Sequence, residues 1–236
     1  MTIQPTSAEL NEESFDAEGR VEWVQEGADH ELWVQLGGLA ADALSKEDVA
    51  LREALRNSIA ASQYKECAAG LTYWLFETTL VFVVFKAWAP HRYVEWDCTG
   101  PTNRVTRQKN PIDLVVKEQS GRELGIEAKW WNSQRVELSL DTDANKLLNW
   151  IDEGAEGKRA AFLLAFWWTT EASLLHNQKE ALEWCKRKGR QLVYRSSFPT
   201  RGPQDERRRF FLDVMAVPAM SDRSVRYDHP SNAATR

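Results

Sequence analysis

Apolar residues recur along this chain with two different periods, and the switches between them mark out its elements. The first twenty residues are polar and acidic with little periodicity, which predicts a disordered or loosely attached tail. From Val21 to Leu36 apolar positions partly alternate, as in a hairpin turning near Gly27-Ala28-Asp29. Ser45 with Asp48 three residues later has the form of a capping box. The Ala-rich stretch 46–70 behind it favours helix, with Gly70 as a stop or kink. Leu71 to Trp88 is less easily read: Val81-Phe82-Val83-Val84-Phe85 is strand-like, but the whole is long enough for a buried helix. Pro90 and His91 end it, and Tyr93-Val94-Glu95-Trp96-Asp97 reads as a strand.

Further on, Asp141-Thr142-Asp143 offers a cap for a helix carrying Leu147, Leu148, Trp150 and Ile151. Ala160 to Trp168 is a continuous apolar run of central-strand type. Glu171 to Lys188 has the apolar spacing of a helix, with Gly189 just past its end. Gln191–Tyr194 and Phe210–Met215 complete a sheet, and the residues after Pro218 read as a disordered tail. There is no internal repeat.

Between these elements lies the segment with the most chemistry. Pro111-Ile112-Asp113-Leu114-Val115-Val116 reads as a short strand with an acid near its start, and Leu124-Gly125-Ile126-Glu127-Ala128-Lys129-Trp130 as a second. A polar break containing Gly121 separates them. Period-two alternation puts Glu127 and Lys129 on one face and Ala128 on the other. A turn centred near Ser120 would set Asp113 opposite Glu127, with Cβ atoms about 5 Å apart. Two carboxylates and an ammonium then converge, giving oxygen ligands for a hard divalent cation with a positive group beside it. The flanking residues Ile112, Leu114, Val115, Val116, Ile126, Trp130 and Trp131 predict a buried central pair. Unpaired charges there would be costly, which favours a metal or ion-pair role over a solvated charged face.

Pro111-x-Asp113 followed by Glu127-x-Lys129 resembles the PD-(D/E)xK nuclease superfamily. The resemblance implies an α/β fold with a restriction-endonuclease-like core, a central mixed β-sheet flanked by helices. It also implies Mg2+, for which Mn2+ can substitute, bound by Asp113, Glu127 and the Ala128 carbonyl, with Lys129 orienting or deprotonating the attacking water. Members often carry a further Glu on the helix before the first strand; Glu77 is the better match and Glu66 the runner-up. That topology favours helix for the segment ending at Trp88. Lys146, on the following helix, stands where members sometimes hold an auxiliary basic or amide residue, and Gln134 is a weaker candidate for such a part. Ile112 and the bulky Trp130-Trp131 are departures from the pattern; the two tryptophans suit core packing better than stacking on a base. The implied organisation is an acidic segment over 1–44, a nuclease-like domain over 45–217 and a tail over 218–236. The implied activity is a metal-dependent nuclease hydrolysing phosphodiester bonds in DNA, RNA remaining open, in restriction, phage defence or repair. A homodimer or a partner protein is also implied. The alternative is a non-catalytic nucleic-acid-binding or protein-interaction module with a nuclease-like fold.

Charge adds a surface expectation. The net charge is −5, yet residues 1–31 carry nine acids against Arg20 alone, whereas Lys186 to Arg209 carries nine bases against Asp205 and Glu206. Phosphate affinity follows such local clusters rather than the sum. Arg207, Arg208 and Arg209 are therefore candidate nucleic-acid contacts, as are Arg104, Arg107 and Lys109 just before Asp113. The acidic segment could cover the basic one by mimicking nucleic acid. Three widely spaced cysteines predict free thiols, and the scattered histidines form no catalytic cluster. No Walker loop or Gly-x-Ser-x-Gly elbow is present. The absence of a signal pattern or a membrane-length apolar run predicts a cytoplasmic protein without membrane contact.

Overall fold

The structure, a computed structural model, describes residues 29–57, 76–98, 100, 110–131, 136–202 and 206–217. Helix α1 (His30–Asn57) buries Trp33, Leu36, Ala40 and Leu44, a stripe spaced three or four residues apart that puts one face of the helix against the sheet. The expected hairpin over Val21–Leu36 is therefore wrong from His30 onward; its earlier residues lie outside the described set. Clustered apolar residues at Leu32, Trp33, Val34 and Leu36 imitate alternation over so short a span. Ser45 does not start a helix either, since Ser45 and Asp48 lie well inside α1. Asp48 is instead a buried interior acid, taking Thr200 Oγ1 at 2.6 Å and Arg52 Nε at 2.9 Å.

From Glu77 onward the ambiguous apolar segment is helix: α2 (Glu77–Trp88) buries Leu80, Val81, Val83, Val84 and Trp88, and residues 71–75 lie outside the described set. Trp88 Nε1 donates to the Leu36 carbonyl at 2.7 Å, fastening α2 to α1. Three antiparallel strands follow: β1 (Tyr93–Cys98), β2 (Ile112–Lys117) and β3 (Glu123–Trp130). The β2–β3 register runs from Lys117↔Glu123 to Leu114↔Ile126, so the hairpin is centred on residue 120, and Gly121 takes φ 79° in its turn.

Helix α3 (Val136–Asp152) carries the chain from β3 to its parallel neighbour β4 (Arg159–Thr170), the crossover that parallel pairing requires. It starts before Asp141, so Asp141-Thr142-Asp143 lies inside the helix rather than capping it. A 3₁₀ turn (Glu171–Ser173) precedes α4 (Leu174–Arg187), and Gly189 follows at φ 61°. Strands β5 (Gln191–Arg201) and β6 (Arg207–Val217) both run longer than their apolar cores suggest.

The result is an α/β fold whose six-stranded mixed sheet has the order β1-β2-β3-β4-β6-β5. Helices α1 and α2 cover one face through Leu114, Val116, Ile126, Ala128, Phe166 and Phe210. On the other face α3 and α4 pack over Val115, Leu163, Ala165, Leu192 and Met215. Central β4 is apolar on both sides, which explains its unbroken run. Trp130 packs with the first cluster, 5.8 Å from the Phe210 ring, and Trp131 with the second, 5.2 Å from Trp184. Both tryptophans serve packing. Cys98 and Cys185 are free thiols, Cys67 lying outside the described residues. Among the described residues no helix is long and apolar enough to cross a membrane.

Candidate functional site

The start of β2 and the end of β3 meet at one end of the sheet because the two strands are antiparallel. Continuing their register would pair Asp113 with Glu127, but the ladder ends at Leu114↔Ile126. On its other edge β2 also lacks the rung that would match Asp113 with Asp97, and Asp97 has left-handed backbone at φ 53°. Asp113 Oδ2 instead accepts the Ala128 N–H at 2.8 Å, one residue beyond the expected partner. Ala128 itself is buried under α1 and α2. Glu127 and Lys129 therefore lie on the opposite face, toward α3, as alternation requires.

Two helices complete the cluster. Glu77, the first residue of α2, accepts Lys129 Nζ at 3.1 Å on one carboxylate oxygen and the Trp130 N–H at 2.9 Å on the other. From α3, Asp143 Oδ2 lies 3.4 Å from Lys129 Nζ, and Lys146 Nζ lies 2.6 Å from Glu127 Oε2 and 2.8 Å from the Pro111 carbonyl. Asp143 and Lys146 stand one helical turn apart on a shared face. Their charges thus complement Glu127-x-Lys129 in reverse, acid to base and base to acid.

Burial sets the electrostatics. Glu127 is only 3 % exposed, and its Oε1 is buried without a hydrogen-bond partner. Burial, then the neighbouring Asp113 carboxylate, pushes its pKa up to about 8; Lys146 opposes this and does not overcome it. Burial raises Asp113 and Asp143 as well, against the Ala128 N–H in one case and Lys129 in the other. Burial pulls the Lys129 ammonium down, but Asp143 and Glu77 outweigh it and leave its pKa above the ordinary value. A lysine held in this way favours donating hydrogen bonds over accepting a proton.

Among the described residues no group of three His, Cys, Asp or Glu side chains is arranged to hold a metal ion as it stands. The donor chemistry nevertheless fits a hard cation. Mg2+ is commonly held by one or two carboxylates with water completing the octahedron, and the orphaned Glu127 oxygen beside Asp113 supplies such a nucleus.

Sequence reasoning identified Asp113, Glu127, Lys129 and Glu77, and the structure brings these together; at Ala128 the expected contact was the carbonyl, whereas the one present is its N–H to Asp113. It ranked Lys146 low and took Asp143 for a helix cap, though both belong to the cluster. An acid and a base three residues apart on the helix after Glu-x-Lys was the available signal. The surface candidates fare differently. Arg104, Arg107, Lys109, Glu66 and Gln134 lie outside the described residues. Arg207, Arg208 and Arg209 open β6 at the same end of the sheet as the site, since β6 is antiparallel to β4 and β4 parallel to β3. Arg208 lies 3.6 Å from the centre of the Trp168 ring and pairs with Glu206; Arg209 donates to Ser197 Oγ at 3.1 Å. The wider run from Lys186 to Arg209 is not one basic surface: Lys188 and Arg190 pair with Asp141, and Arg195 is buried against Asp213. Compared with protein-family models, with curated proteins and with solved structures, the chain matches none.

Proposed function

We propose that the chain is a metal-dependent nuclease hydrolysing phosphodiester bonds in DNA on a restriction-endonuclease-like core. The observation that carries this reading is the meeting of Asp113, Glu127 and Lys129 with Glu77 at one end of the sheet, with a buried Glu127 oxygen left unpartnered. The order of helix, three antiparallel strands, helix and parallel strand supports the same core.

Asp113, Glu127 and the Ala128 carbonyl would hold Mg2+ or Mn2+. Such an ion activates water and offsets charge on a phosphoryl group. Lys129, placed beside Asp143 and Glu77, would orient the attacking water or donate to a non-bridging phosphoryl oxygen. Glu77 holds the Lys129 ammonium and the Trp130 N–H together, fixing where the lysine points. Arg207 and its neighbours extend a positive margin beside the site for the nucleic-acid backbone.

The test is cleavage of plasmid and single-stranded DNA with Mg2+ or Mn2+ by wild type and Lys129→Ala. Cleavage should require the metal, and the variant should lose at least about a hundredfold in rate, the scale of a removed charge-stabilising donor. Cleavage undiminished in the variant would remove this site from the reaction. No cleavage with either ion would favour a binding module instead.

A further inference from the structure

Within this cluster Lys146 occupies an informative position. Its ammonium sits 2.6 Å from Glu127 Oε2 and 2.8 Å from the Pro111 main-chain carbonyl, a carboxylate and a carbonyl of the kind that coordinate hard cations. Its flexible stem starts on α3 and its side chain is 17 % exposed, while Glu127 is nearly sealed at 3 %. The ammonium can therefore swing outward, and the carboxylate cannot follow it into water.

We propose that Lys146 is the resident stand-in for the divalent cation: its ammonium holds the cation's place on Glu127, and the ion must displace it to bind. The inference rests on the reading of Glu127 as a cation ligand. It makes Lys146 a determinant of cation affinity, separate from any contact with substrate. A lysine that only braced α3 would, on removal, loosen the site and weaken the ion. A competing lysine, on removal, tightens it.

The measurement is Mn2+ titration of the full chain at a pH where Glu127 is ionised, with free Mn2+ followed by electron paramagnetic resonance. Wild type, Lys146→Met, Lys146→Gln and Glu127→Gln are compared, each first checked for folding by urea denaturation. The folded Lys146 variants should bind at least about tenfold more tightly than wild type, a conservative share of the ammonium–cation repulsion removed. Glu127→Gln should lose the site. Lys146→Gln keeps a polar side chain without the charge, so it carries the comparison if Lys146→Met does not fold. Equal or weaker binding in the Lys146 variants, still dependent on Glu127, would overturn the stand-in role and leave the nuclease reading intact. No Glu127-dependent binding in any form would overturn both.

Discussion

A carboxylate cut off from water must be neutralised, and Glu127 has three means: a proton, the Lys146 ammonium or a divalent cation. The choice among them makes stability depend on pH with a definite sign. Its pKa rises from 4.5 to about 8 on folding, so ionising it costs folded-state free energy. The contribution is fully present below the unfolded value and is lost as pH rises through about 8. Cation-free wild type should therefore lose several degrees of melting temperature, relative to Glu127→Gln, between those two pH values. Asp113 and Asp143 are raised in the same direction, so a gentler slope should persist in the variant. Thermal scans across that range test this, and parallel slopes for the two proteins would refute it. Mg2+ should recover the loss at high pH in wild type alone. At this scale the sequence was most legible where geometry is periodic. Alternation along β3 and symmetry about residue 120 were enough to bring Asp113 to Glu127. Asp143 escaped because its partner is chosen by the rotation of α3 against β3, a tertiary quantity that no local pattern encodes.

Between the elements, the packing that seats α3 on the sheet is unusually close. Gly125, at the middle of β3, faces Trp150 of α3, and a Cβ there would meet ring atoms at 2.7 and 2.9 Å. Trp150 cannot retreat easily, since it is 4 % exposed and carries the Arg159 guanidinium 4.4 Å above its ring. Nor can β3 move, held between β2 and β4. Gly125→Ala must therefore lift α3, costing about 1–3 kcal/mol as overpacking does. Lifting α3 withdraws Asp143 from Lys129 and Lys146 from Glu127, because both belong to that helix. A urea midpoint lowered accordingly, together with slower DNA cleavage, is the expected outcome; an unchanged midpoint would mean that Trp150 does not set the position of α3. Elements differed in how well the sequence announced them. The buried strands β2 to β4 and helix α4 stood out because long apolar runs and helical spacing leave few alternatives. Helix α1 was misread because its buried stripe begins among extra apolar residues. A polar interior residue, Asp48, also imitates a cap when its partner, Thr200, is far away in sequence.

On the nuclease reading, the whole molecule brings a net charge of −5 to a polyanionic substrate. Attraction must then come from position. Strand β3 pairs with β4 only as far as Trp130↔Phe166, whereas β4 continues to Thr170 opposite Arg208. The β4–β6–β5 part of the sheet thus projects four residues, about 13 Å, beyond the end of β3 that carries the site. Arg207, Arg208 and Arg209 lie along this projection. The basic stretch of sequence suggested a longer strip, but Lys188, Arg190 and Arg195 pair with Asp141 and Asp213, and Arg207 to Arg209 stand at the end of the sheet that holds the cluster. Arg208 is committed to Trp168 and Glu206, so its removal would mix stability with binding. Arg209 donates to Ser197 Oγ, so Arg207→Gln with Arg209→Gln is read once urea denaturation shows the double variant to be as stable as its background. Removing one cation from a DNA phosphate should reduce the slope of log affinity against log salt by about 0.9. In a Lys129→Ala background, chosen to slow cleavage, the double variant should bind DNA more weakly at low salt and show a slope shallower by about 1 to 2. Its affinity should approach that of the unaltered background as salt rises, because the two arginines act through counterion release. If the slope does not change, the backbone of the nucleic acid does not cross this margin, and the positive charge at the end of β6 has only a structural use.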